Sequence, residues 1–410
     1  MLNPFSSPIR PALGGNCGAV SAAHPLAVAA GQQMLSTGGN AVDALIAAQA
    51  VLAVVAPDSC GLGGDAFVIL HDGQDVIAIN GAGASPARAR QAASDGAHSV
   101  TVPGLVDTWT LLAPRARLGL AVALAPAVRI AGHGCRVDPG LAAARDIQKA
   151  RLLAGGAVDW PLMSAKVGST FRQPELARTL ERIASEGREG LYAGPVGAEM
   201  IARVAAGGGA LTEDDLVRPA ATLEKPISLT FCGHYVHVQP PVSQGILLAM
   251  ALNGWEGGGY DLAERDHIAV ELTQAAFAHR DDVARGIDLL LEPLEIDPKA
   301  ASLKGGPRSY LHTAGVAVAD AEGMVTSSLV SVFDDFGSGV FLPNAGFCLN
   351  NRGGGFTGGL NGFGPGKKPI HTLAPVLIEG PSGTIALSTP GADGQVQTLL
   401  QVLIDWLAAG

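Results

Sequence analysis

The longest apolar stretch of the chain runs from residue 44 to residue 56 and is interrupted by Gln49. Asn40 precedes it at the position of a helix N-cap, and Asp43 falls in the first turn of a helix that would start at Ala41. A carboxylate in that turn suits the helix dipole. Because the stretch is too short to span a bilayer, it predicts a buried helix.

Other segments show helical or strand periodicity. Residues 67–70 and 76–79 flank five polar residues and predict a β-hairpin, while residues 227–238 alternate like one strand. Helical spacing is found at 172–193, 196–206 and 262–285.

The C-terminal third is richer in strand-forming residues. Strands are predicted at 314–319 and 324–332 around a turn at 320–323, further strands at 337–348 and 384–388, and a closing helix at 395–406. A four-residue turn pairs Ala319 with Met324 and Thr313 with Val330, which places Ser331 beside Thr313. Helices flanking a mostly antiparallel β region indicate a layered α+β domain.

Composition narrows the class of protein. The 410 residues are 48% hydrophobic and 16% charged, as in a globular chain, and the formal net charge of −10 argues against nucleic acid or an anionic membrane as the main partner. The five cysteines are scattered and the first ten residues contain no apolar signal core, so we expect a reduced, cytoplasmic protein.

Common catalytic and cofactor motifs are absent from the sequence. It contains no GxSxG nucleophile elbow, no GxxxxGK[ST] phosphate loop and no HExxH metal motif. His234 and His237 lie three positions apart on a predicted strand, so they point to opposite faces. We therefore expect neither a metal nor another cofactor.

A series of short motifs covers nearly the whole chain. These are GGNAVDA at 38–44, GLGGDAF at 61–67, VPG at 102–104, GGALTEDDL at 208–216, PPVSQG at 240–245, FGSGV at 336–340 and LNNR at 349–352. In this order they resemble the γ-glutamyltranspeptidase family. The resemblance implies the four-layer αββα sandwich of N-terminal-nucleophile hydrolases.

The resemblance also implies self-cleavage between His312 and Thr313. Members of the family carry a threonine seven residues before a D-x-x-G turn, and here Thr313 stands seven residues before Asp320. Cleavage would divide one domain, residues 1–410, into a large part (1–312) and a small part (313–410) that form an α/β heterodimer. The small part is expected to be shorter at its C-terminus than in other members.

The chemistry explains why a threonine must become a chain end. Its free α-amine, with a pKa of about 8, can take the proton of its own hydroxyl and make it a nucleophile. By resemblance, Ser331 is the second hydroxyl residue that assists it. The backbone N–H groups of Gly391 and Ala392, in the TPGADG turn at 389–394, would stabilise the oxyanion.

Substrate recognition departs from the family pattern. Ala82, Gly355 and the pair His371-Thr372 stand where other members carry the charged and polar groups that hold a γ-glutamyl group. Residues 351–356 and 365–372 instead resemble a divergent branch that includes oxamate amidohydrolase. Arg352 is the candidate to bind a small carboxylate, with Asn351, His371 and Thr372 as further substrate-binding residues.

Three functional hypotheses remain open at this point. The first is a self-processing amidohydrolase that cleaves an amide of a small carboxylate-bearing molecule, such as oxamate. The second is a γ-glutamyl hydrolase or transpeptidase, or a broad acylase. The third, of another class, is an unprocessed relative without catalytic activity.

Overall fold

The computed structural model describes residues 15–302 and 313–408, which form alternating helices and strands. The strands are β1 (Gly18–Ala22), β2 (Asp65–His71), β3 (Val76–Gly81), β4 (Cys135–Arg136), β5 (Thr170–Phe171), β6 (Thr222–Glu224), β7 (Ile227–Phe231), β8 (His234–Val238), β9 (Ala314–Asp320), β10 (Val325–Ser331), β11 (Phe341–Leu342), β12 (Phe347–Cys348), β13 (Val376–Gly380) and β14 (Gly383–Leu387).

The α-helices are α1 (Pro25–Ser36), α2 (Ala41–Val55), α3 (Leu105–Leu112), α4 (Leu120–His133), α5 (Pro139–Ala154), α6 (Pro174–Glu186), α7 (Glu189–Tyr192), α8 (Gly194–Ala206), α9 (Glu213–Val217), α10 (Gly245–Gly258), α11 (Arg265–Phe277) and α12 (Gln395–Leu403). A 3-10 segment, Arg280–Leu291, follows α11. No helix within the two described ranges is long and apolar enough to cross a membrane.

Two antiparallel sheets form the centre of the molecule. The first has the strand order β1-β9-β10-β2-β3-β6 and the second the order β14-β13-β8-β7. Alternate residues of β2 point to opposite faces of the first sheet. Ala66 and Val68 join the core beneath α1 and α2, whereas Ile69 packs against Leu377 of β13 in the second sheet.

The outer face of the second sheet carries its own layer of helices. Strands β7, β8 and β13 share a hydrophobic core with α10, α11 and α12. The layers therefore run helix, sheet, sheet, helix, which confirms the predicted αββα sandwich.

Strands from the two ends of the sequence are interleaved. In the first sheet, β9 pairs with β1 on one side and with β10 on the other, and β10 pairs in turn with β2. In the second sheet, β13 pairs with β8. The residues after position 313 thus supply central strands to both sheets.

Four predictions of continuous elements were wrong. Residues 337–348 form a turn followed by the short strands β11 and β12, and the helical stretch at 262–285 is divided between α11 and two 3-10 segments. Residues 227–238 form a hairpin, because Cys232 (φ 47°) and Gly233 (φ 74°) both adopt left-handed backbone and close a two-residue turn between β7 and β8. The helical stretch at 172–193 is divided after Glu186 by Gly187, whose φ is 62°.

The predicted register of the β9–β10 hairpin was wrong by one residue. Ala319 pairs with Val325 rather than with Met324, and Ala314 pairs with Val330. The extra residue is accommodated because Gly323 adopts a φ of 93° in the turn and Asp320 accepts hydrogen bonds from the amides of Glu322 and Met324. Continued by one step, this register places Thr313 opposite Ser331.

Candidate active site

A glycine-rich loop before β2 brings two distant segments together. A Cβ atom at Gly63 would lie 2.2 Å from the Cys348 carbonyl oxygen, and one at Gly64 would lie 2.4 Å from the Ser331 carbonyl oxygen. Only glycine permits these approaches. Gly63 forms a parallel bridge with Leu349 and so aligns the LNNR segment with the start of β2.

Three polar residues form a row across the first sheet at one end of the sandwich. Ser331, the last residue of β10, pairs with Asp65, the first residue of β2, and the hairpin register brings Thr313 opposite Ser331 on the other side. Directly opposed residues share a face. This face is turned toward the second sheet, and the exposed fractions of Thr313, Ser331 and Asp65 are 6%, 2% and 0%.

The Asp65 carboxylate is the acceptor for two of the predicted substrate-binding side chains. Its Oδ2 atom lies 3.1 Å from Nε of Arg352 and 3.1 Å from Nε2 of His371. All three side chains are completely buried. Sequence reasoning gave Asp65 no role, although it stands inside the GLGGDAF motif and is the only acidic residue there.

His371 is held as a neutral imidazole. Burial, together with the positive charge of Arg352, lowers the pKa of His371 to about 3. Its Nε2–H therefore donates to Asp65, and Nδ1 accepts a 3.4 Å hydrogen bond from the amide of Leu373. The ring also packs against Phe67, with 4.4 Å between the ring centroids.

The end of β10 is shaped by an unusual backbone conformation at Phe333. Its φ is 87°, which is rare for a residue with a large side chain. The turn lets the Phe333 amide donate a 2.9 Å hydrogen bond to Oγ of Ser331 and lays the Phe333 ring 4.5 Å from the guanidinium carbon of Arg352. The Arg352 side chain is thus stacked on an aromatic face as well as paired with a carboxylate.

The turn with the predicted oxyanion donors is also left-handed, with φ of 122° at Gly391 and 48° at Ala392. Ala392 occupies a conformation that favours glycine and costs about 1–2 kcal/mol for other residues. The side-chain amide of Gln244 donates to the carbonyls of Thr372 and Ala392, at 2.9 Å each. It therefore ties the His371-Thr372 segment to this turn.

The chain enters that turn next to the start of β9. A Cβ atom at Gly315 would lie 2.7 Å from Oγ of Ser388. Ser388 is three residues before Gly391, and Gly315 is two residues after Thr313. The predicted nucleophile and the predicted oxyanion turn consequently lie at the same end of the sandwich.

The other predicted residues take different positions. The Asn351 amide is engaged by the chain itself, because Nδ2 donates to the Ser94 carbonyl and to Asp334, and Oδ1 accepts from the Asp334 amide. Thr372 is buried and contributes its carbonyl to Gln244. His312 lies outside the described residues.

No group of three or more histidine, cysteine, aspartate or glutamate side chains in residues 15–302 and 313–408 is placed to hold a metal ion. The polar atoms at this end of the sandwich are a threonine hydroxyl, a serine hydroxyl, a buried carboxylate, a guanidinium and a neutral imidazole. Such a set can bind an anion and carry out nucleophilic chemistry at a carbonyl.

The chain is similar in sequence to known proteins over nearly its whole length. The profile of the Gamma-glutamyltranspeptidase family matches residues 27–410. The Glutathione hydrolase-like YwrD proenzyme of Bacillus subtilis is 32% identical over 94% of this chain and 81% of that protein. The Oxamate amidohydrolase proenzyme of Klebsiella pneumoniae is also 32% identical, over 96% of this chain and 82% of its own length.

A solved structure extends the likeness to the fold. The cephalosporin acylase of Bacillus halodurans superposes with a TM-score of 0.88 and 29% identity, covering 100% of this chain and 84% of the acylase. With the ordered motifs, the αββα layers and the relatives in agreement, the chain belongs to the γ-glutamyltranspeptidase family of N-terminal-nucleophile amidohydrolases.

Proposed function

We propose that this protein cuts itself between His312 and Thr313 and then uses Thr313 to hydrolyse an amide of a small carboxylate-bearing molecule such as oxamate. The observation that carries the proposal is the row Thr313–Ser331–Asp65, in which a hydroxyl residue immediately before β9 lies two strands from the Asp65–Arg352 pair. A nucleophile and an anion-binding group therefore share one end of the sandwich.

Self-cleavage would begin with the Thr313 hydroxyl. Its oxygen attacks the His312 carbonyl carbon, the bond from that carbon to the Thr313 nitrogen breaks, and the nitrogen takes up the hydroxyl proton. The result is an ester that water opens, leaving His312 with a carboxylate and Thr313 with a free amine. The large part (1–312) and the small part (313–410) stay together, because β9, β10 and β13 pair with strands that precede position 312.

Turnover would use the same hydroxyl with the new amine as its base. The amine takes the hydroxyl proton while the oxygen attacks the substrate carbonyl, and the N–H groups of Gly391 and Ala392 stabilise the oxyanion. The amine then returns the proton to the leaving nitrogen, and water hydrolyses the remaining acyl ester. Ser331 assists by hydrogen bonding to the nucleophile.

Recognition of a carboxylate is assigned to Arg352. A guanidinium binds a carboxylate through two parallel hydrogen bonds, and its plane must be fixed for this to happen. The ion pair with Asp65 and the stacking on Phe333 both hold that plane. His371 and Thr372 would complete the pocket, and the neutral His371 ring, whose two nitrogens are bonded to Asp65 and to the Leu373 amide, would contact the substrate through its carbon atoms and not as a second cation.

Mass spectrometry of the purified protein tests the first step, and a fragment that begins at Thr313 is the expected result. Thr313→Ala should give one intact chain and no amide turnover, whereas Thr313→Ser keeps the hydroxyl and should give two fragments. An active wild-type protein with an intact chain would refute the mechanism.

The substrate is tested by comparing kcat/KM for oxamate, glutathione and an acylated β-lactam. We expect oxamate to be preferred. A preference for glutathione or for the β-lactam would favour the γ-glutamyl or the acylase hypothesis. An uncleaved chain without activity towards all three would favour a non-catalytic relative.

A further inference from the structure

Asp65 contacts two side chains, Arg352 and His371, that come from different segments of the site. Arg352 is the last residue of the LNNR segment and His371 precedes β13, and both reach the same carboxylate oxygen at 3.1 Å. We propose that Asp65 is a positioning residue that sets substrate specificity: it holds His371 and orients Arg352 so that the guanidinium binds one carboxylate of the substrate. This inference rests on the proposed function.

The energetics favour a role in geometry over a role in stability. A buried ion pair contributes little net stability, because the loss of hydration offsets the attraction between the charges. A packed apolar pair would hold this end of the sandwich equally well. The carboxylate additionally fixes the orientation of Arg352. It accepts a hydrogen bond from Nε, the guanidinium nitrogen closest to the backbone, and so limits rotation of the guanidinium plane.

The carboxylate also fixes the state of His371. By accepting the Nε2–H hydrogen bond, Asp65 selects the tautomer in which Nδ1 is the acceptor, and the Leu373 amide occupies Nδ1. The imidazole is thereby held against Phe67. One residue thus determines the orientation of a cation and of a neutral ring on two separate segments.

The second carboxylate oxygen of Asp65 differs from the first in its surroundings. Oδ1 of Asp65 is buried and receives no hydrogen bond from the residues that the structure describes. A carboxylate kept only for structure would be expected to use both oxygens, because a buried unsatisfied acceptor is costly. A hydrogen-bond donor of the bound substrate, such as an amide N–H next to its carboxylate, would satisfy this atom.

Removal of the Asp65 charge separates two explanations, because they predict opposite changes in the affinity for an anion. Asp65→Asn removes a negative charge beside Arg352 and makes the site more positive. If Asp65 acted only through its charge, this substitution would tighten the binding of an anion. If Asp65 positions Arg352, the same substitution weakens it. Asp65→Glu keeps the charge but displaces the carboxylate by one methylene, and positioning again predicts weaker binding.

The experiment uses the mature protein and two readouts. Calorimetry measures the Kd of oxalate, the product that oxamate hydrolysis would give, and kinetics measure KM and kcat for oxamate and for its uncharged analogue oxamide. For Asp65→Asn and Asp65→Glu we expect the oxalate Kd and the oxamate KM to rise at least tenfold. The KM for oxamide should change less than threefold.

The matched control is Asp43→Asn. Asp43 is another completely buried aspartate, but it caps α2 and accepts hydrogen bonds from the amides of Asn40, Arg117, Leu118 and Gly119, on the helix side of the first sheet. Its substitution should lower stability and leave the ratio of oxamate to oxamide KM unchanged.

Tighter or unchanged oxalate binding in Asp65→Asn would overturn the inference, as would an equal loss for oxamate and oxamide. Absence of oxalate binding to the wild-type protein would overturn it too, even where other amides are hydrolysed. If the wild-type protein binds oxalate but hydrolyses no amide, the proposed function fails while the Kd values still decide the role of Asp65.

Discussion

Gln244 offers a direct test of how the site is held together. Its side chain is completely buried, and its Nε2 atom donates to the carbonyls of Thr372 and Ala392. Gln244→Ala removes both hydrogen bonds. At about 0.5–1.5 kcal/mol net for each bond, the free energy of unfolding should fall by about 1–3 kcal/mol. A domain with a total of about 5–15 kcal/mol stays folded after such a loss.

Activity should respond more strongly than stability. The turn at Gly391 and Ala392 loses a contact that ties it to the segment of His371, and loss of one oxyanion donor typically lowers kcat by about 10²–10³-fold. We therefore expect the kcat of Gln244→Ala for the preferred amide to fall by up to about 10²–10³-fold. Urea unfolding first establishes that the variant is folded under the conditions of the assay.

Gln173→Ala is the control for this prediction. Gln173 is also buried, and its Nε2 donates to the Val54 carbonyl at 2.7 Å, away from the site. Its loss should cost about 1 kcal/mol and leave kcat unchanged. If kcat falls equally in the two variants, Gln244 does not position the turn and the assignment of the oxyanion donors is wrong.

Two further predictions concern packing and pH. Gly64→Ala places a Cβ 2.4 Å from the Ser331 carbonyl oxygen and should lower the free energy of unfolding, measured with urea, by about 1–3 kcal/mol. The control Gly132→Ala lies in open space on α4 and should raise that free energy by about 0.5 kcal/mol. Equal changes in the two variants would contradict the geometry of the loop. The pKa of His371 is about 3 in the folded state, below its ordinary value of 6.5. Between pH 6.5 and pH 3 the imidazole is therefore protonated in the unfolded chain but not in the folded one. Stability consequently falls as the pH drops from about 6.5 towards 3. The free energy of unfolding, measured with urea at pH 7 and at pH 5, should therefore fall by about 2 kcal/mol less in His371→Gln than in the wild type. An equal fall in the two proteins would refute the buried neutral state of His371.

The sequence predicted those parts of the fold that depend on local signals. The helix at Ala41 begins where Asn40 and Asp43 allow a capping box, and the structure contains both of its hydrogen bonds. The hairpin of β2 and β3 follows from two apolar runs around a polar turn. The four layers themselves were inferred from family motifs and not from periodicity.

Features that depend on long-range pairing were not accessible in this way. The left-handed conformation of Cys232 has no local signal, so the β7–β8 turn was missed. The register of β9 and β10 depends on one turn residue, and the convergence of Arg352 and His371 on Asp65 joins segments more than 280 positions apart. Only the folded chain brings such residues together.

The interleaving of strands bears on whether folding or chain cleavage comes first. A break before Thr313 would leave two pieces, neither of which contains the whole of either central sheet, since each of these sheets needs strands from both pieces. Assembly from separate pieces would be a second-order reaction that slows on dilution, whereas one continuous chain folds at a rate independent of concentration. If the chain is cut as proposed, a cut made only after the strands are in place would let the two chains form one molecule without having to find each other.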